Sequence, residues 1–260
     1  MRRRALLRGG LAVWIMGAAG PSAAAPGRKL RFSGREWGVH ATPNSHALLA
    51  SSFQGAPYHR FEVRGQDTAF LDRGKAPRNR AELYSLSRDP NGKETWFSYS
   101  FRIRNGPPTT ATFCILGQFH STPDIGDAPG LSPVFAINLA REGTLRFVSR
   151  TSAAPLQTFN PKPTVLRDVQ GIARERWYRL VGRIVFDYAG KGSVEVWMEG
   201  NKIIDRKNIP IGYNDKKGPY WKFGIYRSAA AEPLIVDYAN MEIGPKSLIR
   251  RVSKPLPVPL

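Results

Sequence analysis

Three stretches far apart in the chain place polar side chains of complementary chemistry at even separations. They are Arg80 with Glu82, Gln118 with His120, and Lys222 with Tyr226. In a β-strand, residues at even separations share a face, so each pair would project from one side of a sheet. Arginine and amide groups can hold a carboxylate, histidine can accept a proton and tyrosine can donate one.

This set of groups matches the chemical needs of β-elimination on a uronic acid. The proton at C5 is weakly acidic, so donors must neutralise the neighbouring carboxylate before that proton leaves. A base then takes the proton and an acid protonates the departing O4. Two other interpretations stay open: a simple ion pair between Arg80 and Glu82, and a core histidine at His120 that bonds to the backbone.

The stretch 220–227 is the strand around which this interpretation is organised. Alternation gives it a polar face and an apolar face: Tyr220, Lys222 and Tyr226 on the first, Trp221, Phe223 and Ile225 on the second. Gly224 would leave the polar row open, so that a ligand could approach the backbone closely.

Alternation of apolar and polar residues recurs along most of the chain from residue 60 onwards. The other predicted strands are 60–64, 78–84, 96–104, 111–120, 134–139, 144–149, 177–186, 192–200 and 234–243. No stretch of 12 residues has a helical period. The pattern predicts an all-β fold, a two-sheet antiparallel β-sandwich of the jelly-roll or concanavalin-like type, with a concave groove for a polymer.

Three segments lack this alternation and are predicted to be irregular, namely 26–60, 121–133, which should be a loop at the edge of the cleft, and 157–167. The first contains His40, His46 and His59, whose spacing matches no metal motif, so we expect surface histidines there. Cys114 is the single cysteine and excludes an internal disulfide. Its apolar neighbours favour a buried thiol.

The ends of the chain differ from the rest. Residues 1–25 combine arginines, a short apolar run and a small-residue cleavage region, which predicts an export signal of the twin-arginine or general secretion type. The apolar run is too short to span a bilayer, and no later segment is a candidate membrane span. We therefore expect a periplasmic or secreted protein with one domain at 26–245 and a basic, proline-rich tail at 246–260.

The charge of the chain predicts an anionic partner. The formal charge is +19, and loss of four arginines with the leader leaves +15. For an exported protein we expect an acidic polysaccharide rather than nucleic acid, for which no motif is present. Adhesion to the anionic cell envelope is the alternative. No metal or cofactor is predicted, although a structural calcium ion is compatible with the fold.

The three polar stretches resemble the signature strands of a known family. Residues 80–83, 117–120 and 220–227 are similar, in the same order, to those of jelly-roll polysaccharide lyases. The resemblance is closest to the heparin lyase I-like and glucuronan lyase-like groups, with motifs of family 7 alginate lyases. It spans residues 61–243 and implies a lyase domain.

The resemblance also implies roles for individual residues. Arg80 and Gln118 would bind the carboxylate, and His120 would be the base or a partner that neutralises the carboxylate. Tyr226 would be the acid, or both acid and base. Lys222 would lower the pKa of Tyr226 or contact substrate, and Glu82 would orient Arg80 or Lys222.

The rest of the predicted substrate-binding set is less specific. It comprises Tyr220, Arg102, Arg104 and Arg227. Arg102 and Arg104 are either subsites for polymer carboxylates or sulfates, or plain surface charges. The chain departs from the alginate group at Tyr84 and Arg227, which leaves the identity of the uronate polymer open.

Several functional alternatives remain at this point. Syn and anti elimination, endo and exo cleavage, and the choice of base are all open; we expect a monomer. A non-catalytic β-sandwich that binds anionic glycans would share the fold and the groove. A sandwich hydrolase is disfavoured, because the paired carboxylates that flank a glycosidic bond are not recognisable.

Overall fold

The structure is a computed structural model that describes residues 28–53, 55–68, 76–140 and 143–259. The predicted export signal at 1–25 lies outside these residues. The elements of the first half are β1 Lys29–Phe32, β2 Arg35–Ala41, β3 Leu48–Phe53, β4 Ala56–Val63, β5 Arg78–Ser85, β6 Glu94–Ile103, β7 Cys114–Thr122 and β8 Phe135–Leu139. Those of the second half are β9 Leu145–Ser149, β10 Thr151–Ser152, β11 Thr164–Val169, β12 Trp177–Val185, β13 Asp187–Met198, β14 Asn201–Tyr213, β15 Lys217–Ser228, β16 Leu234–Gly244 and the helix α1 Arg250–Ser253.

These strands form two sheets of eight strands each. The groove sheet has the order β1-β2-β5-β15-β7-β8-β9-β11, and the back sheet has the order β10-β14-β13-β12-β6-β16-β4-β3. Neighbouring strands are antiparallel except for β10 and β14, which pair in parallel. The prediction of an all-β, two-sheet sandwich is confirmed.

The core lies between the sheets because each central strand turns one apolar row inward. On β15 this row is Trp221, Phe223 and Ile225, none of which is exposed to solvent. The Trp221 ring stacks on Phe97 of the back sheet, with 4.9 Å between ring centroids. Each large side chain buried in this way contributes about 1.5–3 kcal/mol to folding. This packing fixes the polar row of β15 on the outward face of the groove sheet.

Gly224 serves the neighbouring strand rather than a ligand, which corrects the prediction of an open backbone. Its φ is +127°, and a Cβ atom there would lie 2.2 Å from the carbonyl oxygen of Ala81. A side chain is therefore excluded by the close approach of β5. The pairing of β15 with β7 also shifts register between Phe223 and Tyr226.

The segment 121–133 is irregular beyond the end of β7, as predicted, whereas the other two segments predicted to be irregular contain strands. The segment 26–60 holds β1, β2 and β3, and 157–167 overlaps β11. The described part of the predicted surface tail, residues 246–259, packs against the outward face of the back sheet, where Leu248 lies in one cluster with Trp96 and Trp197. Val258 joins the cluster of Tyr58 and Trp177 on the same face.

Candidate active site

The strand β15 lies between β5 and β7 and brings the three polar pairs together. Its Tyr226 pairs with Arg80, its Lys222 with Gln118 and its Tyr220 with His120. The six side chains of these strand pairings line one groove of about 650 Å³ over the outward face of the groove sheet. They are Arg80, Gln118, His120, Tyr220, Lys222 and Tyr226. A volume of this size is typical of a ligand site.

A buried carboxylate, that of Glu82, holds the floor of this groove. Glu82 is 1% exposed, and its Oε2 lies 2.6 Å from Nζ of Lys222 and 3.3 Å from Nε of Arg80. The amide nitrogen of Gln118 donates to Oε1 at 2.5 Å. One carboxylate therefore contacts three donors, those of Lys222, Arg80 and Gln118. Since it pairs with two cations, the floor keeps a net positive charge.

His40 is a member of this cluster that the sequence interpretation missed. It lies on β2, where it pairs with Glu82. Its Nε2 is 2.9 Å from Nη1 of Arg80, and its Nδ1 is 3.2 Å from Nζ of Lys222. Burial, together with Lys222 and Arg80, holds the pKa of His40 far below its usual range. A neutral imidazole has one lone pair, so it accepts a hydrogen bond from one of these two cations at a time.

A signal for His40 was present in the sequence. Trp37, Val39 and Ala41 alternate with polar or small residues across β2, and this pattern predicts a strand that carries His40 on its other face. Gly38 on the same strand lets the ring of Tyr84 lie against the backbone, because a Cβ there would sit 2.1 Å from the ring. The expectation of a surface histidine at His40 was wrong.

His120 is a neutral histidine whose ring is oriented by the backbone. Its Nδ1 lies 2.9 Å from the carbonyl oxygen of Ser121, so Nδ1 carries the proton and Nε2 keeps its lone pair. Burial, with a smaller effect of Lys222, lowers the pKa of His120 to about 4. At neutral pH the ring is therefore uncharged and can accept a proton.

Tyr226 and Tyr220 stand on either side of Lys222 along β15. The guanidinium of Arg80 lies 3.8 Å from the centroid of the Tyr226 ring, and Phe113 flanks the same ring at 5.2 Å. These contacts fix the direction of the phenol group. Burial raises the pKa of Tyr220, which keeps that hydroxyl protonated at neutral pH.

Arg102 and Arg104 lie elsewhere, which corrects their placement in the groove. Arg102 is on β6 of the back sheet, and Arg104 follows that strand. Nη2 of Arg102 pairs with Oδ2 of the buried Asp237 at 3.0 Å, and Arg104 pairs with Glu175 at 3.1 Å. Since Phe101 and Ile103 fill the core, alternation turns Arg102 away from the groove sheet.

Arg227 is a second correction to the substrate-binding set. Its side chain is fully buried and forms an ion pair with Glu232 at 3.0 Å. Its Nε also donates to Asn79 at 3.1 Å. Arg227 follows Tyr226 on β15 and therefore points to the opposite face of the groove sheet.

The groove is electrostatically positive. Among the described residues that line it are four cations and no carboxylate: Arg78, Arg80, Arg150 and Lys222.

Over the described part of the chain, no group of three or more His, Cys, Asp or Glu side chains is arranged to hold a metal ion. No helix of the described residues is long and apolar enough to cross a membrane.

The arrangement can therefore neutralise an anion and move a proton beside it. Arg80, Gln118 and Lys222 supply donors on the floor, and His120 and Tyr226 place an imidazole and a phenol in the same groove. Preorganised donors of this type stabilise charge that develops during a reaction. In this protein such donors are held by Glu82 and by strand pairing.

A comparison with protein families gives one match. The family model described as polysaccharide lyase matches residues 34–242, which include all the groove residues named above. A comparison with curated protein sequences finds no match.

Solved structures with a similar fold include an endo-β-1,4-glucuronan lyase from the fungus Trichoderma reesei. It is 17% identical, the match covers 80% of this chain and 90% of that one, and the TM-score is 0.61. An alginate lyase of polysaccharide lyase family 7 is 14% identical, with 83% and 93% covered and a TM-score of 0.52. An alginate lyase from a Chlorella virus is 11% identical, with 82% and 95% covered and a TM-score of 0.54. At these identities the likeness shows a shared fold.

Proposed function

The chain belongs to the polysaccharide lyase family, and we propose that it cleaves a uronate-containing polysaccharide by β-elimination in the groove described above. The observation that carries this proposal is the convergence of Arg80, Gln118, His120 and Tyr226 on one groove, where the carboxylate of Glu82 holds the first two of them. A groove that only binds an anion has no need of a neutral, tautomer-fixed histidine beside a tyrosine.

In the proposed reaction, the substrate carboxylate binds Arg80 and the free N–H of the Gln118 amide. Charge that develops on this carboxylate when the C5 proton leaves is stabilised by these donors and by Lys222. The electron pair of the C5–H bond forms the C4–C5 double bond, and the bond between C4 and O4 breaks. The proton passes to the base, and O4 receives a proton from the acid, so one chain becomes two without addition of water.

We assign His120 as the base and Tyr226 as the acid. The lone pair on Nε2 of His120 is available at neutral pH because the pKa of this ring is lowered to about 4. Tyr220 is the strand partner of His120, and Tyr226 lies six residues further along β15. Tyr226 therefore reaches the sugar from the other end of the groove. Two groups at separate positions suit an anti elimination, whereas a syn elimination would use Tyr226 for both proton transfers.

We propose glucuronan and alginate as the first polymers to test. The similar structures are a glucuronan lyase and alginate lyases, and both polymers are built of uronic acids. The positive groove supports a polyanionic chain. The proposed setting is outside the cytoplasm, since the signal predicted at 1–25 would export the protein; the mature N-terminus, determined by sequencing, tests this.

The direct test follows the ultraviolet absorbance of the unsaturated uronate that β-elimination creates. The protein without residues 1–25 is incubated with glucuronan, alginate and heparin, and we expect absorbance to increase on at least one. Tyr226→Phe should lower kcat by about 100-fold or more, because it removes the general acid. Tyr188→Phe is a matched control on β13 of the back sheet and should leave the rate unchanged.

The alternative, a sandwich that binds anionic glycans without turnover, makes a different prediction. The protein would bind at least one polymer with no absorbance change across the panel, and Tyr226→Phe would leave binding intact. That outcome would overturn the assignment of a reaction to the groove.

A further inference from the structure

Two arginines in the groove have no acidic partner among the described residues. Arg78 and Arg150 both line the cavity. By contrast, Arg80 pairs with Glu82, Arg227 with Glu232 and Arg102 with Asp237. A partly buried cation without a counter-ion is costly unless a ligand supplies the opposite charge. These two side chains therefore point to anionic groups on the ligand.

Arg78 lies at the Tyr226 end of the groove. It is two residues before Arg80 on β5, so the two Cα atoms are about 7 Å apart on one face. Its Nη1 donates to the carbonyl oxygen of Pro77 at 3.1 Å, and its guanidinium lies 5.2 Å from the Phe113 ring. Its Nε is buried and makes no hydrogen bond to the described part of the chain. The guanidinium is thus held in place with donors to spare.

Arg150 lies at the His120 end. Arg150 directly follows Ser149, the last residue of β9. Ser149 pairs with Phe135 of β8, and Phe135 pairs with Phe119 of β7, the residue before His120. Two strand spacings place it about 10 Å from β7. Its Nε and Nη1 donate to the carbonyl oxygens of Pro161 and Pro133, at 3.2 and 3.0 Å. Burial lowers the pKa of Arg150.

The two arginines bracket the catalytic groups diagonally. Arg78 stands beyond Tyr226 on β5, and Arg150 stands beyond His120 on the far side of β8. In the proposed reaction, the carboxylate of the cleaved sugar binds Arg80 and Gln118, which lie between Arg78 and Arg150. A polymer that passes through the groove would therefore meet three cationic positions in succession.

From this arrangement we infer that Arg78 and Arg150 bind the carboxylates of the two sugars that adjoin the cleaved uronate. The substrate class is then a contiguous polyuronate, with at least three consecutive anionic sugars, rather than a polymer in which uronate alternates with a neutral sugar. This inference rests on the proposed function, since the groups between the two arginines are those assigned to the reaction. It adds a requirement on the neighbours of the cleaved sugar.

The test uses three polymers and four proteins. The polymers are a contiguous polyuronate, a copolymer of uronate alternating with a neutral hexosamine, and that copolymer sulfated on the hexosamine. The proteins are the mature wild type, Arg78→Gln, Arg150→Gln and Arg206→Gln. Arg206 is an exposed arginine on β14 of the back sheet, so its variant loses the same charge away from the groove.

The wild type should prefer the contiguous polyuronate. On that polymer, Arg78→Gln and Arg150→Gln should each increase KM about tenfold through loss of a charge-assisted hydrogen bond, with a much smaller change in kcat. On the unsulfated alternating copolymer, the same variants should match the wild type, and Arg206→Gln should match it on every polymer. Arg78→Lys should recover part of the loss, because it restores the charge without the fork of donors.

Other outcomes separate this inference from the proposed function. If the wild type cleaves a polyuronate but Arg78→Gln and Arg150→Gln keep its KM, the inference is wrong and the proposed function stands. Preference for the sulfated copolymer would overturn the assignment to carboxylates. If no polymer is cleaved, the affinity of Tyr226→Phe for polyuronate trimers, with and without Arg78→Gln, still tests the inference: equal affinities overturn it. If Arg150→Gln fails to fold, Arg150→Lys takes its place, because a lysine can still reach the carbonyl oxygens of Pro133 and Pro161.

Discussion

The two outward faces of the sandwich each carry a buried carboxylate surrounded by cations. On the groove sheet, Glu82 lies within 3.3 Å of Lys222 and Arg80. On the back sheet, Asp237 accepts hydrogen bonds from Arg60 at 2.8 Å and from Arg102 at 3.0 Å. By composition alone the two clusters look alike, and both are almost inaccessible to solvent.

Their surroundings differ in the respect that matters for chemistry. Glu82 lies under an open groove beside His40, Gln118 and His120. Around Asp237, Arg102 stacks on Trp177 at 4.8 Å, and the segment near Val258 packs on the same aromatic cluster. The comparison teaches that a cluster of cations around a carboxylate becomes a candidate site only where a cavity and proton-transfer groups adjoin it.

Removal of the two carboxylates is the strongest way to break this comparison. Glu82→Gln and Asp237→Asn should each destabilise the fold by about 3 kcal/mol, because each leaves buried cations without a counter-charge. Glu82→Gln should in addition lower kcat by about 100-fold, since it releases donors that stabilise the developing charge. Asp237→Asn should keep the wild-type kcat at temperatures where it is folded.

Thermal unfolding and initial rates on the same preparations check this prediction. A folded Asp237→Asn protein with as little activity as Glu82→Gln would mean that the back sheet also supports the reaction. A fully active Glu82→Gln protein would remove the special status of the groove cluster.

The pH profile of kcat/KM is the next test, because it reports the base of the groove directly. The pKa of His120 is lowered to about 4, so the ring should be in its basic form above that pH. We expect kcat/KM to rise with pH through about 4 and to be level at pH 6, below the usual histidine pKa of about 6.5. In His120→Gln the residual rate should lose this step.

Unfolding at acidic pH must be separated from this titration. The folded-state pKa of His120 lies below that of the unfolded chain, so the unfolded state binds more protons between about pH 6.5 and pH 4. The free energy of unfolding therefore decreases as pH falls through that window. Melting curves at each pH provide the control, and an acid step near pH 6.5 in a fully folded protein would contradict the assignment.

The smallest expected effect comes from an arginine of the back sheet. Arg102→Gln removes one of the donors to Asp237 but nothing that lines the groove. Arg60 still pairs with this carboxylate, so we expect a loss of about 1–2 kcal/mol in stability and an unchanged KM for the polymer. A KM raised as much as in Arg78→Gln would return Arg102 to the substrate-binding set.

The sequence predicted the repeating part of the fold because alternation is a local property. The row of Phe97, Tyr99 and Phe101 on β6 identified a strand with an apolar face, and all three side chains lie in the core. The same local rule was available for β2, but glycine, proline and histidine around it concealed the strand. As a result His40 was assigned to the surface instead of to the groove.

The placement of the arginines could not be read from the sequence for a different reason. Alternation states which side chains share a face of one strand, but not whether that strand belongs to the groove sheet or to the back sheet. Arg80 and Arg102 both lie on the outward face of a strand, yet the sheets that carry them face opposite directions. Arg227 lies one residue from Tyr226, so its side chain points to the opposite face of β15, where it is buried in an ion pair with Glu232.

The sequence by itself determined the strand pattern, the apolar rows of the core and the residue types able to act on a uronate. The tertiary structure decided that His40 joins Arg80 and Lys222, that Arg78 and Arg150 bracket the groove, and that Arg102 and Arg104 stand behind it. The physical reason is range: the pleat of a strand is set by neighbouring residues, whereas the order of strands in two sheets depends on pairing between segments more than 100 residues apart, such as β5 and β15.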